Sequence, residues 1–244
     1  MWVVTAKIGV RFAAESGIAM AENINQVDER IKQSTSDTVR QGVDIRSQVH
    51  DLTLLALQNG RFDRNGIRSV VRSVTEGIAL GAEKSRADMR EATSDALAGL
   101  DQALRTSAEA GHLALKQLTS SGKGFSDGEL KSALANLKRL EEDFLSTVAQ
   151  VADAANERVG PELRAALSTA RRSGTATGKQ VAAAMTEFAH RFSVASIDAT
   201  IAGLETAGEV GQRFAMLTSG ILAGLSDALR GPPPAEKKEQ PKQA

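Results

Sequence analysis

The chain has 244 residues, of which 41% are hydrophobic, with 30 basic and 30 acidic side chains and no cysteine. The balanced charge provides no field for nucleic acid or an acidic substrate, and the absence of thiols excludes disulfides, thiolate metal sites and cysteine nucleophiles. Because only 3% of the residues are aromatic and tyrosine is absent, the composition suits closely packed helices better than β-sheets, and we predict an all-α protein.

Apolar residues recur at helical spacing along four stretches, which predict four long helical arms. The first arm covers residues 3–59, as one helix or two, and ends at the stop signal Asn59-Gly60. The second covers residues 64–118, uninterrupted by proline, with Asp63 as its N-cap. The N-terminal segment has no charged region ahead of its apolar part, so we expect no signal peptide.

The third arm covers residues 127–172 and follows a glycine-rich connection. Its start is predicted by a capping box, Ser126-x-x-Glu129, in which each side chain bonds the backbone of the other residue. Gly160-Pro161 is expected to kink or restart this arm, because proline removes a backbone donor and clashes with the preceding turn.

The fourth arm covers residues 178–230 and is predicted to begin at a second capping box, Thr177-x-x-Gln180. Four arms of similar length with short turns indicate an elongated antiparallel bundle over residues 1–230. Residues 231–244 are rich in proline and lysine, so we expect a disordered tail.

Near the end of the fourth arm, thirteen consecutive residues carry no charge, from Phe214 to Ser226. This stretch is too short to span a bilayer, which takes about 20 apolar residues, so we expect no transmembrane segment. Gly220 and Gly224 form a GxxxG pair that lets another helix approach closely, and we expect that helix to belong to the same chain. The candidate contact residues of this face are Phe214, Leu217, Gly220, Ile221, Gly224 and Leu225.

The same region takes part in an internal repeat. TSDALAGLDQALR (93–105) and TSGILAGLSDALR (218–230) agree at nine of thirteen positions. Two interpretations are open: a shared packing role, or the convergence of two Ala/Leu/Gly-rich helices.

A basic series lies at the start of the second arm. Arg61, Arg64, Arg68 and Arg72 are spaced three, four and four residues apart, so they share one helical face. Cations at a helix N-terminus oppose the macrodipole, which suggests contact with anionic head groups or an acidic partner. The structural alternative is an exposed face whose charges are balanced by acids on neighbouring helices, such as Asp51.

Two Glu-x-x-His pairs, Glu109/His112 and Glu187/His190, have the spacing found in ferritin-like di-iron bundles. The core stripes of their arms place both pairs on polar flanks, so we interpret them as solvated residues. The sequence contains no phosphate-binding glycine loop, serine elbow or paired-carboxylate motif. No catalytic residue, cofactor or metal is therefore predicted.

Longer runs carry two resemblances. The segments RFDRNGIRSVVRSVTEGIALGAEKSR, FSDGELKSALANLKRLEEDFLSTV and RFSVASIDATIAGLETAGEVGQRFA, within about residues 60–230, resemble an uncharacterised bacterial helical family, a domain of unknown function. That likeness brings no known activity or site. More loosely, the Ala-rich amphipathic arms and the Pro/Lys tail resemble phasins, the proteins that coat polyhydroxyalkanoate granules.

We predict a non-catalytic amphipathic helical protein that binds an anionic or hydrophobic surface (lipid or a polymer granule) or a partner helix. The alternative is a self-associating bundle or scaffold without lipid affinity. The expected partners are thus a second copy of the chain or an anionic lipid or granule surface, and not nucleic acid. We expect a cytoplasmic location, free or peripheral to a membrane or granule.

Overall fold

The structure, a computed structural model, describes residues 25–58, 63–85, 88–120, 127–189 and 212–230. These ranges contain helices and turns but no strand, which confirms the all-α prediction. The start of the first arm and the tail 231–244 lie outside them. The helices are α1 (residues 25–41), α2 (Ile45–Gln58), α3 (Arg64–Glu83), α4 (Met89–Ser120), α5 (Asp127–Ala154), α6 (Gly160–Ser173), α7 (Ala176–Phe188) and α8 (Gln212–Arg230).

The described part of the first arm is two helices. Gly42 and Asp44, with φ angles of 75° and 45°, adopt left-handed conformations between α1 and α2. Glycine carries no Cβ penalty in this conformation, and aspartate tolerates it better than most residues. The turn therefore divides into two helices a stretch that the sequence had left open as one helix or two.

The second arm is also two helices, and the prediction of an unbroken helix over residues 64–118 was wrong. Its start is confirmed, since the Asp63 carboxylate accepts a hydrogen bond from the Gly66 backbone N–H at 2.7 Å. The break between α3 and α4 contains no proline. It is marked instead by Asp88, whose carboxylate accepts from the backbone N–H groups two and three residues later, at 2.9 and 3.1 Å.

The third arm starts and is interrupted where the sequence predicts. It begins with α5 at Asp127, while the Ser126 proposed as its cap lies outside the described residues. The restart predicted at Gly160-Pro161 is confirmed: α6 begins at Gly160, with the proline in its first turn. Proline fits there because the first N–H groups of a helix have no partner within the helix.

The first six helices form three consecutive pairs, α1 with α2, α3 with α4 and α5 with α6. The first helices of neighbouring pairs, such as α1 and α3, run in the same direction. Lys32 of α1 lies 3.4 Å from Glu76 of α3, and near the ends of both helices the Val39 carbonyl accepts a hydrogen bond from Ser85 Oγ, two residues after α3, at 3.2 Å. The link between α2 and α3 reaches only about 20 Å, whereas α1 and α2 laid end to end would span about 45 Å. Hence α2 returns alongside α1 within a single predicted arm, whereas the sequence predicted antiparallel packing between different arms, and α3 starts beside the start of α1.

The third pair continues this stack. Arg68 and Arg72 of α3 contact Asp143 and Gln150 of α5, in the same order along both helices. On the other side, α2 packs on α4 and α4 packs on α6. Helices α1, α3 and α5 thus form one layer and α2, α4 and α6 a second, while the longer α4 also carries α7 and α8. Each pair covers the apolar face of the pair before it, as in stacked helical repeats.

Three buried glycines bring backbones of the stack into contact. Gly77 and Gly81, a GxxxG pair in α3, face α1, and a Cβ at Gly81 would lie 2.5 Å from the Ser36 carbonyl oxygen. Gly99 of α4 faces α2, where a Cβ would lie 3.1 Å from the Arg46 carbonyl carbon and closer still to its oxygen. Any larger residue would push the helices apart.

The core consists mainly of leucine, valine and alanine, as the predicted apolar stripes require. Burying one Leu or Val side chain contributes roughly 1.5–3 kcal/mol, so many medium-sized side chains replace the few aromatics that this chain lacks. Among the described residues, Phe144 and Phe188 are the buried aromatics. The largest fully buried side chains are Leu57, Ile78, Leu100, Leu104, Leu115, Leu130, Leu134, Leu163, Leu222, Val39 and Val49.

Candidate functional site

The basic series of α3 meets a buried carboxylate on α5. Asp143 Oδ1 lies 2.9 Å from Arg68 Nε and 2.5 Å from Arg68 Nη2, while its Oδ2 lies 3.4 Å from Arg64 Nε. The Asp143 side chain is only 8% exposed, against 32% for Arg64 and 43% for Arg68. A carboxylate taken out of water in this way needs paired cations, and the two guanidinium groups supply them.

The remaining arginines of the series divide differently. Arg72 Nη2 lies 3.3 Å from Gln150 Oε1, also on α5, and Arg61 lies outside the described residues. The acid suggested from sequence, Asp51, contacts its neighbour His50 instead, at 2.9 Å. The structure therefore uses this face to join α3 to α5, which fits the structural alternative with a different carboxylate.

The start of α7 differs from its prediction. Thr177 is not the cap: the N-cap is Thr175, whose Oγ1 accepts from the Gly178 N–H at 2.8 Å. The same hydroxyl donates to Glu141 Oε1 of α5 at 2.5 Å. A cap that also contacts a neighbouring helix was not visible in the local sequence, where both threonines have suitable chemistry.

Thr177 belongs to a second contact at this helix start. The Asp101 carboxylate of α4 accepts from the backbone N–H groups of Ala176 and Thr177, at 2.7 and 3.0 Å, and lies 2.7 Å from Thr177 Oγ1. These N–H groups have no partner within the helix, and a negative charge there is favoured by the macrodipole. Two carboxylates, from α4 and α5, thus hold α7 against the stack.

The two Glu-x-x-His pairs lie closer together than their placement on separate flanks suggested. His112 Nε2 of α4 is 2.6 Å from Glu187 Oε2 of α7, and Lys116 Nζ is 3.0 Å from Glu187 Oε1. His190 lies outside the described residues. Among the residues that the structure describes, no cluster of three or more His, Asp or Glu side chains could hold a metal ion.

Electrostatically, this contact behaves as an ion pair. Hydrogen bonds from Lys116 and then His112 lower the pKa of Glu187 from its usual 4.5, because both favour the charged carboxylate. The imidazole ring also packs edge-on against Phe188, with ring centroids 6.0 Å apart. The cluster joins α4 to α7. The lowered pKa of Glu187 keeps its carboxylate charged, whereas a general acid or base works best with a pKa near the working pH.

A groove of 510 Å³ runs between α3 and α5. Its lining includes the apolar side chains of Leu80, Val151 and Val159. At its edge, Lys32 and Glu76 contact each other at 3.4 Å. Arg72 and Glu83 also line the groove, which therefore combines an apolar floor with charged edges, as ligand-binding grooves often do.

Helix α8 has a buried side and an exposed side. Leu222 and Thr218 are fully buried, whereas Met216 is 67% exposed. Gly220 and Gly224 are exposed as well, and no described atom lies within 4 Å of a Cβ built on either residue. For the described residues, the prediction that this GxxxG pair faces a helix of the same chain was therefore wrong. We call Met216, Gly220 and Gly224 the open face of α8.

Of the other predicted contact residues of α8, three lie beside the open face and one has a side chain outside the described part of the structure. Leu217, Ile221 and Leu225 are half-buried and pack against the core. Phe214 lies within the helix, but its side chain is outside the described part. Across the part of the chain described by the structure, no helix combines the length and hydropathy needed to cross a membrane.

The internal repeat has one packing role in common and one difference. Thr93 and Thr218 are equivalent and both fully buried, as the shared-packing interpretation requires. Gly99 and Gly224 are equivalent too, yet Gly99 contacts the α2 backbone while Gly224 has no described neighbour. The same LAGL segment is thus covered by a helix in α4 and left open in α8.

Comparison with known proteins gives one match. A family of unknown function (DUF6781) matches residues 20–231, which include the 60–230 stretch whose likeness to an uncharacterised family was predicted. No curated protein and no solved structure matches the chain. The looser resemblance to phasins stays a prediction. Since the match covers most of its length, the chain belongs to this family of unknown function, DUF6781.

Proposed function

We propose that the protein is a non-catalytic helical scaffold that acts by helix–helix association, with the open face of α8 as its contact surface. One observation carries this proposal: Met216 is 67% exposed beside two glycines without a described neighbour. Two glycines one turn apart leave bare backbone that another helix can approach closely, and the exposed Met216 side chain would be covered by that helix. On the opposite side, Leu222 keeps the helix on the core.

The polar clusters support a scaffold rather than an enzyme. Arg64 and Arg68 pair with Asp143, and Asp101 and Glu141 bind the start of α7. Each of these clusters joins two helices of the stack. Their side chains are therefore already used in packing, and catalysis needs groups that can reach a substrate.

A second candidate function is binding to an anionic lipid or granule surface. The observation in its favour is that the Arg68 side chain remains 43% exposed and Arg72 is exposed, in spite of their contacts with α5. Exposed basic side chains attract anionic head groups. The engagement of Arg68 by Asp143 reduces the charge available for it, so we place this candidate second.

Sedimentation velocity at about 1 to 200 μM protein, a range chosen to cover weak association, separates the two candidates when combined with flotation on phosphatidylglycerol vesicles at low salt. The scaffold function predicts that the protein self-associates as its concentration rises and stays out of the vesicle fraction. Met216→Glu should remain monomeric, because a charge on the open face opposes its burial.

Val43→Glu is the matched control, since Val43 is 62% exposed but lies in the α1–α2 turn. This variant should associate like the wild type. A wild-type protein that floats with the vesicles and stays monomeric would favour the second candidate. One that does neither would rule out both.

A further inference from the structure

The helix positions in line with the open face of α8 form a symmetrical pattern in the sequence. At about 100° per residue, Met216, Gly220 and Gly224 lie on a strip opposite the buried Leu222. Arg213 and Asp227 occupy helix positions seven residues before and seven residues after Gly220, which return to nearly the same strip. In order, the strip therefore reads cation, methionine, glycine, glycine, anion.

This pattern is complementary to itself in one orientation only. If two α8 helices pack antiparallel about a twofold axis at Gly220, each Arg213 lies opposite Asp227 of the second copy. Each exposed Met216 then lies over the bare backbone at Gly224 of the other helix. A parallel arrangement would place Arg213 against Arg213 and Asp227 against Asp227, which costs free energy through like-charge repulsion.

We infer that the partner of the open face is a second copy of the same chain, bound through an antiparallel α8–α8 contact centred on Gly220. This inference rests on the proposed scaffold function and names the partner, the orientation and the register. The repeat shows how such a contact is made, because the equivalent Gly99 already receives a helix backbone from α2. Without a Cβ at Gly220 and Gly224, the two helices can approach equally closely.

The size of the contact sets its expected strength. One helical face of about four turns is smaller than the interfaces of stable complexes, which bury roughly 1,200–2,000 Å². We therefore expect a weak, reversible dimer with a dissociation constant in about the micromolar range. Such a dimer would form where the protein is locally concentrated.

Cysteine cross-linking tests the register directly, because the chain contains no cysteine of its own. Arg213→Cys and Asp227→Cys are made as separate single variants and oxidised with diamide, alone and as an equal mixture. In the antiparallel dimer, residues 213 and 227 of different copies are neighbours, whereas two copies of residue 213 are about 21 Å apart. A disulfide needs Cα atoms within about 7 Å.

The inference predicts covalent dimers in the mixture and at most a trace from either variant alone. Adding Met216→Glu to both variants should abolish them. Covalent dimers from each variant alone would show a parallel contact and overturn the inference. If the wild type self-associates by sedimentation but the mixture gives no covalent dimer, the antiparallel register is wrong. The scaffold function then still stands if Met216→Glu prevents the association, because the open face of α8 is its contact surface. A wild type that is monomeric throughout would remove both.

Discussion

Replacing Gly99 by alanine should destabilise the protein, although alanine is the better helix former. In an isolated helix this substitution stabilises by up to about 1 kcal/mol. Here the new Cβ would lie 3.1 Å from the Arg46 carbonyl carbon and closer to its oxygen. These are backbone atoms, so no side-chain rotation relieves the clash and α2 has to move away from α4.

The magnitude follows from two opposing contributions. Forcing an extra carbon into a packed contact costs typically about 1–3 kcal/mol, and the helix propensity of alanine offsets up to about 1 kcal/mol of that. Because the new carbon would meet backbone atoms, we take the upper part of that cost, about 2–3 kcal/mol, and expect a net loss of about 1–2 kcal/mol in the free energy of unfolding. For a chain of this size, each kcal/mol lowers Tm by roughly 2–4 °C.

Urea unfolding followed by circular dichroism measures this loss, and Gly224→Ala is the matched control. Each glycine lies in its own copy of the LAGL sequence, but outside α8 no described atom lies within 4 Å of a Cβ at Gly224. The control should be as stable as the wild type or more stable by up to about 1 kcal/mol, at a protein concentration where the chain is monomeric. Equal effects of the two substitutions would refute the close contact between α2 and α4.

Two further predictions concern the polar clusters. Asp143→Ala should destabilise the protein by about 1–3 kcal/mol in urea unfolding. This is below the usual cost of breaking a buried pair, because both arginines are about one-third exposed or more. Asp153→Ala is the control, since this side chain is 73% exposed in its pair with Arg164; it should change stability by less than about 0.5 kcal/mol, and equal losses would contradict the role of burial. Because the pKa of Glu187 is lowered from 4.5 in the folded protein, its carboxylate stabilises the fold above that pH and stops doing so as the pH falls through the lowered value. The Tm difference between wild type and Glu187→Gln should therefore be present at about pH 6 and shrink as the pH falls below 4.5 and through the lowered pKa. A difference that does not change on acidification would contradict the ion pair.

Some of these sites could be foreseen from sequence, and the limits have physical causes. The Asp63 cap and the restart at Gly160-Pro161 were predicted because their signals lie within a few residues of the helix ends they mark. The α3–α4 break was missed, although Asp88 has the chemistry of an N-cap. An aspartate in a polar segment is common in helices too, so without proline it does not stand out.

Arg64, Arg68 and Arg72 of the basic series all contact α5, and the acid that balances the first two is Asp143 rather than the suggested Asp51. Arg68 and its partner Asp143 are 75 positions apart in the chain, and nothing local distinguishes Asp143 from the other acids. Similarly, Thr175 and Thr177 are both plausible caps, and their contacts with Glu141 and Asp101 fixed their roles. Such pairings depend on how helices stack, which periodicity does not specify.

The sequence by itself determined that this protein is helical, where the helix ends with strong local signals lie and which apolar stripes form its core, because caps and helical periodicity act over a few residues. Only the tertiary structure decided which helices meet. The LAGL segment of α4 and that of α8 are identical in sequence, yet Gly99 is covered by α2 and Gly224 lies open. A glycine permits a close helix contact but does not provide one, since the contact also requires a neighbour whose position is set by the packing of the whole stack.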